Sequence, residues 1–283
     1  MEARTRITIL MLPPAAWLFL FFVVPLGIMA LFSFRAGSFG AEREQFTLEN
    51  YQHLLASPAY ANLLAQSAWI ALLTAVIAIV LSYPLAYYLS FRAGDARVTL
   101  LTILIIPAWT SFLLRILAWK LILGSGGLLN SALLSLNVIE EASPLLIYSR
   151  TAVVVTLVYV WIPFSTLPIF SALERVDRRL LEAAADLGCT PWQAFLRVTL
   201  PLSLPGVLAA FFFVFIPTLG EWVTPALVGG AQGVMYGNLI QDQFVRALNW
   251  PLGAVLSLVL MALVLLLILA FNRFLRVSDL AGA

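Results

Sequence analysis

At 283 residues, 62% hydrophobic and only 11% charged, with a mean hydropathy of +1.00, the chain falls outside the composition of soluble domains and reads as an integral membrane protein. One cysteine, Cys189, and one histidine, His53, predict neither an internal disulfide nor a metal-ligand cluster. A net charge of +2 is too small to suggest a nucleic-acid partner.

In chain order, uncharged runs of about 20 residues mark the helices expected to cross a bilayer. The first, 7–34, is long for the apolar core of a cleaved signal peptide and is expected to be retained. The others lie near 66–91, 98–119, 151–173, 204–222 and 250–272, which predicts an all-α protein with six transmembrane helices. An even number places both termini on one side. Arg4, Arg6, Arg92, Arg97, Arg175, Arg178, Arg179, Arg197, Arg273 and Arg276 share that side, against Arg35, Arg43, Arg150 and Arg246 on the other. Arginine is enriched on the cytoplasmic face of membrane proteins, so both termini are expected there. The acids divide seven and seven and carry no such signal.

Within the spans, Pro107, Pro163 and Pro217 fall near mid-depth when counted inward at about 1.5 Å per residue. Their contexts are IIPAWTS, WIPFST and FIPTLGEW. Broken helices at that depth are tolerated where they line a cavity, so a substrate pathway is expected at Trp109, Thr110, Ser111, Trp161, Ser165, Thr166, Pro217, Thr218 and Trp222. Ordinary proline kinks are the competing reading. Toward the outer side, Arg115, Glu221 and Asp242 join the pathway candidates, because ionisable residues in spans face protein or water. Glu221 and Trp222 together would suit an organic ammonium through a charge-assisted hydrogen bond and a cation–π contact. A structural pair between Arg115 and Glu221 is the alternative. The outer stretch LGSGGLLNSALLSLN is either re-entrant or surface packing.

Between spans four and five the arginines place a cytoplasmic loop, whose residues 182–206 read EAAADLGCTPWQAFLRVTLPLSLPG. Asp177 can cap a helix from Arg178 to about Leu187, with Gly188 as the left-handed residue that ends it. Thr190 and Gln193 form a capping-box pattern around Pro191, predicting a second short helix that stops before Pro201. Glu182 and Asp186 lie four apart, a like-charge pair that an outside cation would relieve.

Glu182-Ala183-Ala184, three residues, Gly188, nine residues and Val198-Thr199-Leu200-Pro201 resemble the EAA loop of the membrane subunits of binding-protein-dependent ABC importers, with Val198 where the family carries isoleucine. The resemblance implies the type I importer permease fold, and ATPase coupling through Glu182, Ala183, Ala184, Asp186, Gly188 and Pro201. It also implies residues 1–65 as a first helix and outer loop, 66–275 as a five-helix core holding a coupling loop at 174–203, and 276–283 as a cytoplasmic tail. The single lysine, Lys120, is followed by Leu121, so the chain has no Gly-x-x-x-x-Gly-Lys-Ser/Thr loop to grip a nucleotide phosphate. No cofactor is expected in this chain, and no catalysis; ATP and Mg would belong to a partner ATPase.

The stretches LLRILAW, GSGGLLN and FIPTLGEWVTPALVGG are similar to the first permease subunit of the spermidine/putrescine importer group, which has an acid at the position of Glu221. That resemblance implies a polyamine as substrate, with an opine, aminophosphonate, gamma-aminobutyrate or amino acid as alternatives. It implies as partners two ATPase subunits, a second homologous permease, a periplasmic or lipid-tethered binding protein, and the lipid of a prokaryotic inner membrane. An ion-coupled secondary transporter and a structural membrane protein are the readings from other classes.

Overall fold

The computed structural model describes residues 2–37, 45–141, 143 and 146–281; Arg43, counted above with the outer arginines, lies outside them. Among the described residues the regular structure is helical, joined by turns and irregular loops, with one antiparallel bridge between Arg35 and Phe46. Six helical stretches are long and apolar enough to cross a membrane: Leu10–Ser33, Pro58–Phe91, Phe112–Ser135, Arg150–Leu173, Pro191–Leu219 and Trp250–Phe271.

The chain forms two compact units: one of Met1–Ala61 with Leu239–Ala283, the other of Asn62–Asn238. In the first, helices α1 (Glu2–Leu18) and α2 (Val24–Ser33) are joined through a wide π turn, Phe19–Val23. The C-terminal helix packs on α2, and Phe32 meets Trp250 at 6.3 Å. A short helix, α3 (Glu49–Ala56), is tied back by Tyr51 Oη to Ser33 Oγ at 2.8 Å and by Asn50 Nδ2 donating to Arg35 O at 2.9 Å.

The second unit holds α4 (Pro58–Phe91), α5 (Arg97–Ile105), α6 (Phe112–Leu123), α7 (Leu128–Ser135), α8 (Arg150–Leu173), α9 (Arg178–Asp186), α10 (Pro191–Ala194) and α11 (Leu200–Leu219). Helix α8 is its centre: 56% of its most apolar window is buried, against 33% for α4 and for the Pro191–Leu219 stretch. Apolar packing gains little between helices already in lipid, so membrane helices associate where small residues let backbones approach. Gly206 is such a place. A Cβ there would lie 2.4 Å from Ala172 Cβ and 2.6 Å from Pro168 O, so α11 meets α8 at a point where only glycine fits.

Four sequence expectations need correction. The expected third span, 98–119, is divided: α5 gives way to a 3₁₀ turn at Ile106–Trp109 and extended backbone at Thr110, because Pro107 cannot continue the α-helical ladder. Pro163 and Pro217 break nothing. Helix α8 runs through Pro163, where the hydroxyls of Ser82, Ser165 and Thr166 all bond the carbonyl of Ile162. Pro217 lies within α11, two residues before its end, and so is far from mid-helix.

The second loop helix does not stop before Pro201 either. It continues through a π turn at Phe195–Thr199 into α11, with the Leu200 N–H reaching back to Phe195 O. A proline ring collides with the carbonyl four residues earlier, and a widened turn gives that carbonyl room. The same device precedes Pro25, where the Val24 N–H reaches Phe19 O. Finally, no ion pair joins Arg115 to Glu221; among the described residues the ion pairs are Arg97–Glu174 and Arg246–Asp242.

The glycine-rich stretch LGSGGLLNSALLSLN forms a turn and the short helix α7, with the buried Asn130 side chain bonding Gly124 O and the Ser143 N–H. Asp242 lies on α12 (Tyr236–Val245) beside Arg246.

Candidate functional site

In the loop between spans four and five, the first helix and the capping box of the second are built as the sequence implies. The Asp177 side chain accepts from the Arg179 N–H at 3.0 Å and opens α9. At the other end Gly188 has φ of +80°, its N–H bonds Ala185 O, and the Cys189 N–H bonds Ala184 O at 3.0 Å. This pair of bonds is a Schellman closure and requires a left-handed residue at position 188. Thr190 and Gln193 then make both halves of the capping box, at 2.9 and 3.4 Å.

Ala184 is buried under α9, whereas Glu182, Ala183, Asp186, Gly188 and Pro201 are exposed. Leu187 is 85% and Trp192 65% exposed. Among the described residues, neither Glu182 nor Asp186 belongs to an ion pair. Apolar side chains and acids thus share one exposed hairpin.

The pathway candidates fall into several places. Thr110 and Arg115 share a groove of about 390 Å³ with Leu114, Ala118, Trp119, Ile122 and Tyr159. There the Arg115 Nη1 reaches Val160 O at 3.5 Å, while its Nε is buried without a partner. Trp109 is 88% exposed. Trp161 meets Phe164 at 5.7 Å and Phe213 at 6.5 Å, both edge to face. Ser165 is fully buried and bonded to Ser82 Oγ at 2.5 Å. Pro217 is exposed on α11. Asp242 belongs to the other compact unit.

Glu221 has a second task that its sequence does not announce. Its Oε1 accepts from the N–H groups of Val223 at 2.8 Å and Thr224 at 3.1 Å, so it caps the helical segment that runs through Pro225–Gly229. That segment is pinned on all sides. Gln66 Nε2 donates to Gln232 O and Val234 O, Arg150 Nε to Gln232 O, and the Tyr236 N–H to Ser67 Oγ at 2.7 Å. The Asn238 side chain closes it, donating to Trp222 O at 2.7 Å and accepting from the Met235 N–H. The half-buried Glu221 is therefore held on a rigid frame with the exposed Trp222 beside it. Sequence reasoning missed Gln66, Ser67, Arg150 and Asn238; they bond backbone atoms up to 169 positions away, and no local pattern encodes that.

Residues 3–279 match the family described as binding-protein-dependent transport system inner membrane component. The spermidine/putrescine transport system permease PotB of Escherichia coli K12 is 38% identical over 234 residues, covering 83% of this chain and 84% of its own length. The PotB of Haemophilus influenzae is 36% identical over 260 residues, 91% of this chain and 90% of its own. Among solved structures, a bacterial alginate ABC transporter in complex with an alginate-bound periplasmic protein matches with a TM-score of 0.75 at 15% identity, over 97% of this chain and 95% of that one. The chain belongs to the family of binding-protein-dependent transport system inner membrane components. It is a permease subunit and not an enzyme, and membership excludes the ion-coupled secondary transporter.

Proposed function

We propose that the chain is one of two homologous permeases of a polyamine importer in a prokaryotic inner membrane. Both termini and the 178–200 loop face the cytoplasm, where the loop docks on one of two ATPase subunits that bind ATP and Mg. A periplasmic or lipid-tethered binding protein delivers the substrate. The observation that carries this reading is the 36–39% identity to spermidine/putrescine permeases over most of the chain. The Glu221–Trp222 pair adds to it. A carboxylate and an indole side by side can hold an ammonium through a charge-assisted hydrogen bond and a cation–π contact of about 0.5 to 2 kcal/mol.

The reading is tested in proteoliposomes holding the assembled importer, by ATP-dependent uptake of labelled spermidine and putrescine. Glu221→Gln preserves an oxygen to accept from Val223 and Thr224 while deleting the charge, so the variant assembles and its KM for spermidine rises about tenfold, the loss of one charge-assisted bond. Because Arg115 makes no ion pair with Glu221, adding Arg115→Gln does not restore uptake. Unchanged spermidine uptake at subsaturating concentration in Glu221→Gln would remove this residue from the pathway.

Orientation is tested with the only thiol. Cys189 directly follows the glycine between the loop helices and is partly accessible. A membrane-impermeant maleimide labels it in inverted vesicles once the ATPase is stripped, and hardly at all in right-side-out vesicles. The opposite result would reverse every loop.

A further inference from the structure

Both arms of the loop grip the same few residues at the end of α4. From the first arm, Arg178 Nη2 donates to Ser90 O at 3.2 Å. From the second, the Phe195 ring stands edge-on to Tyr83 at 5.6 Å and to Tyr87 at 6.1 Å, with Trp192 stacked behind it at 5.2 Å. About two turns further on, Ser203 Oγ lies 2.8 Å from Tyr83 Oη. Ser203 spends its own proton on Leu200 O, so the Tyr83 O–H is the donor in that contact. The preceding residue, Ser82, bonds Ser165 Oγ at 2.5 Å and Ile162 O at 3.2 Å, the carbonyl before Pro163. Adjacent residues of α4 thus hold α11 on one side and the proline turn of α8 on the other.

The position of Phe195 matters mechanically. It opens the π turn, where the backbone ladder between loop and α11 is displaced by one residue, and bending of a helix concentrates at such a turn. A push on the loop is therefore not carried along α11 alone; the rings and hydroxyls that bridge this turn to α4 decide what else moves. We propose that Tyr83 is the positioning residue that couples the loop to the membrane helices, its hydroxyl bond to Ser203 and its edge contact with Phe195 making α4 move with α9 and α10. The inference rests on the reading of the loop as the ATPase-docking element.

The test uses the complete importer with Cys189→Ser and one spin label at a time, on Arg179→Cys in the loop or Val76→Cys on the exposed side of α4. Trapping with ATP and vanadate changes the mobility of both labels in the parent. In Tyr83→Phe and in Ser203→Ala the loop label responds as before, while the Val76 response falls about two- to tenfold, the range of one neutral hydrogen bond. The double variant is no worse than either single one, since one bond is lost in all three. Ser203→Thr keeps the hydroxyl and keeps the response. Each variant is first checked for the ATPase that co-purifies with it, and an unassembled Tyr83→Phe leaves the Ser203 pair to decide.

A full Val76 response in Ser203→Ala, or an equal loss in Ser203→Thr, would overturn the relay and leave the docking loop intact. A loop label that ignores trapping in the parent would overturn the docking reading, and the relay with it.

Discussion

Gly206→Leu leaves no folded permease in the membrane. The ideal Cβ alone would sit 2.6 Å from the Pro168 carbonyl oxygen and 2.4 Å from Ala172 Cβ. The first is backbone of the central helix α8 and the second is fixed to it, so neither can swing aside. Overpacking usually costs about 1 to 3 kcal/mol when side chains can adjust. Here two helix backbones must separate, so the cost should exceed about 4 kcal/mol and reach the scale of total stability. Gly206→Ala already meets the same atoms and should lower the midpoint of thermal unfolding in detergent measurably. Unfolding followed by fluorescence-detected size exclusion checks both; wild-type behaviour of Gly206→Leu would mean that α8 and α11 do not touch there.

Glu182→Lys and Gly188→Trp abolish coupled ATP hydrolysis without removing the chain from the membrane. Glu182 is exposed and makes no ion pair among the described residues, so reversing its charge costs the permease little by itself. Against a docked partner, disturbing one member of a desolvated charge pair costs about 2 to 5 kcal/mol, at least tenfold in coupling. Gly188 allows a sharper comparison. Any L-residue at its φ of +80° is strained, though Asn least, and a Cβ there meets nothing within 4 Å. Asn and Trp thus share the backbone strain and differ in bulk that the chain itself never feels. Binding-protein-stimulated ATPase activity should survive largely in Gly188→Asn and fall at least about tenfold further in Gly188→Trp. Equal activities would show that nothing docks on this surface.

The first arm of the loop and the start of the second were legible in the residues, because the devices that build them are local. Asp177 bonds a donor two positions on, Thr190 and Gln193 serve each other across three, and Gly188 supplies a conformation that depends on its own missing side chain. The number of apolar stretches, and the place of five of the six, were legible for a related reason: the bilayer acts on each helix separately, through its length and hydropathy. The prolines were legible only as prolines. Pro107 ends its helix while Pro163 is carried inside α8, and contacts around α8 such as the Ser82 hydroxyl on the Ile162 carbonyl, 80 positions away, come from another helix.

The sequence by itself therefore determined that the chain is an integral membrane protein with six spans, which follows from the bilayer as solvent, and the caps of the loop between spans four and five, which are short-range; the importer family entered through the resemblance of the 182–201 spacing. Tertiary structure decided that Glu221 caps its own segment and makes no pair with Arg115, and that the second arm of the loop flows into α11 instead of stopping. It also decided that Tyr83 stands where both arms of the loop meet α4. Each of these is a matter of which backbone or hydroxyl lies across the helix interface, and in a membrane such polar contacts and close glycine approaches hold the helices together once lipid has removed the hydrophobic drive.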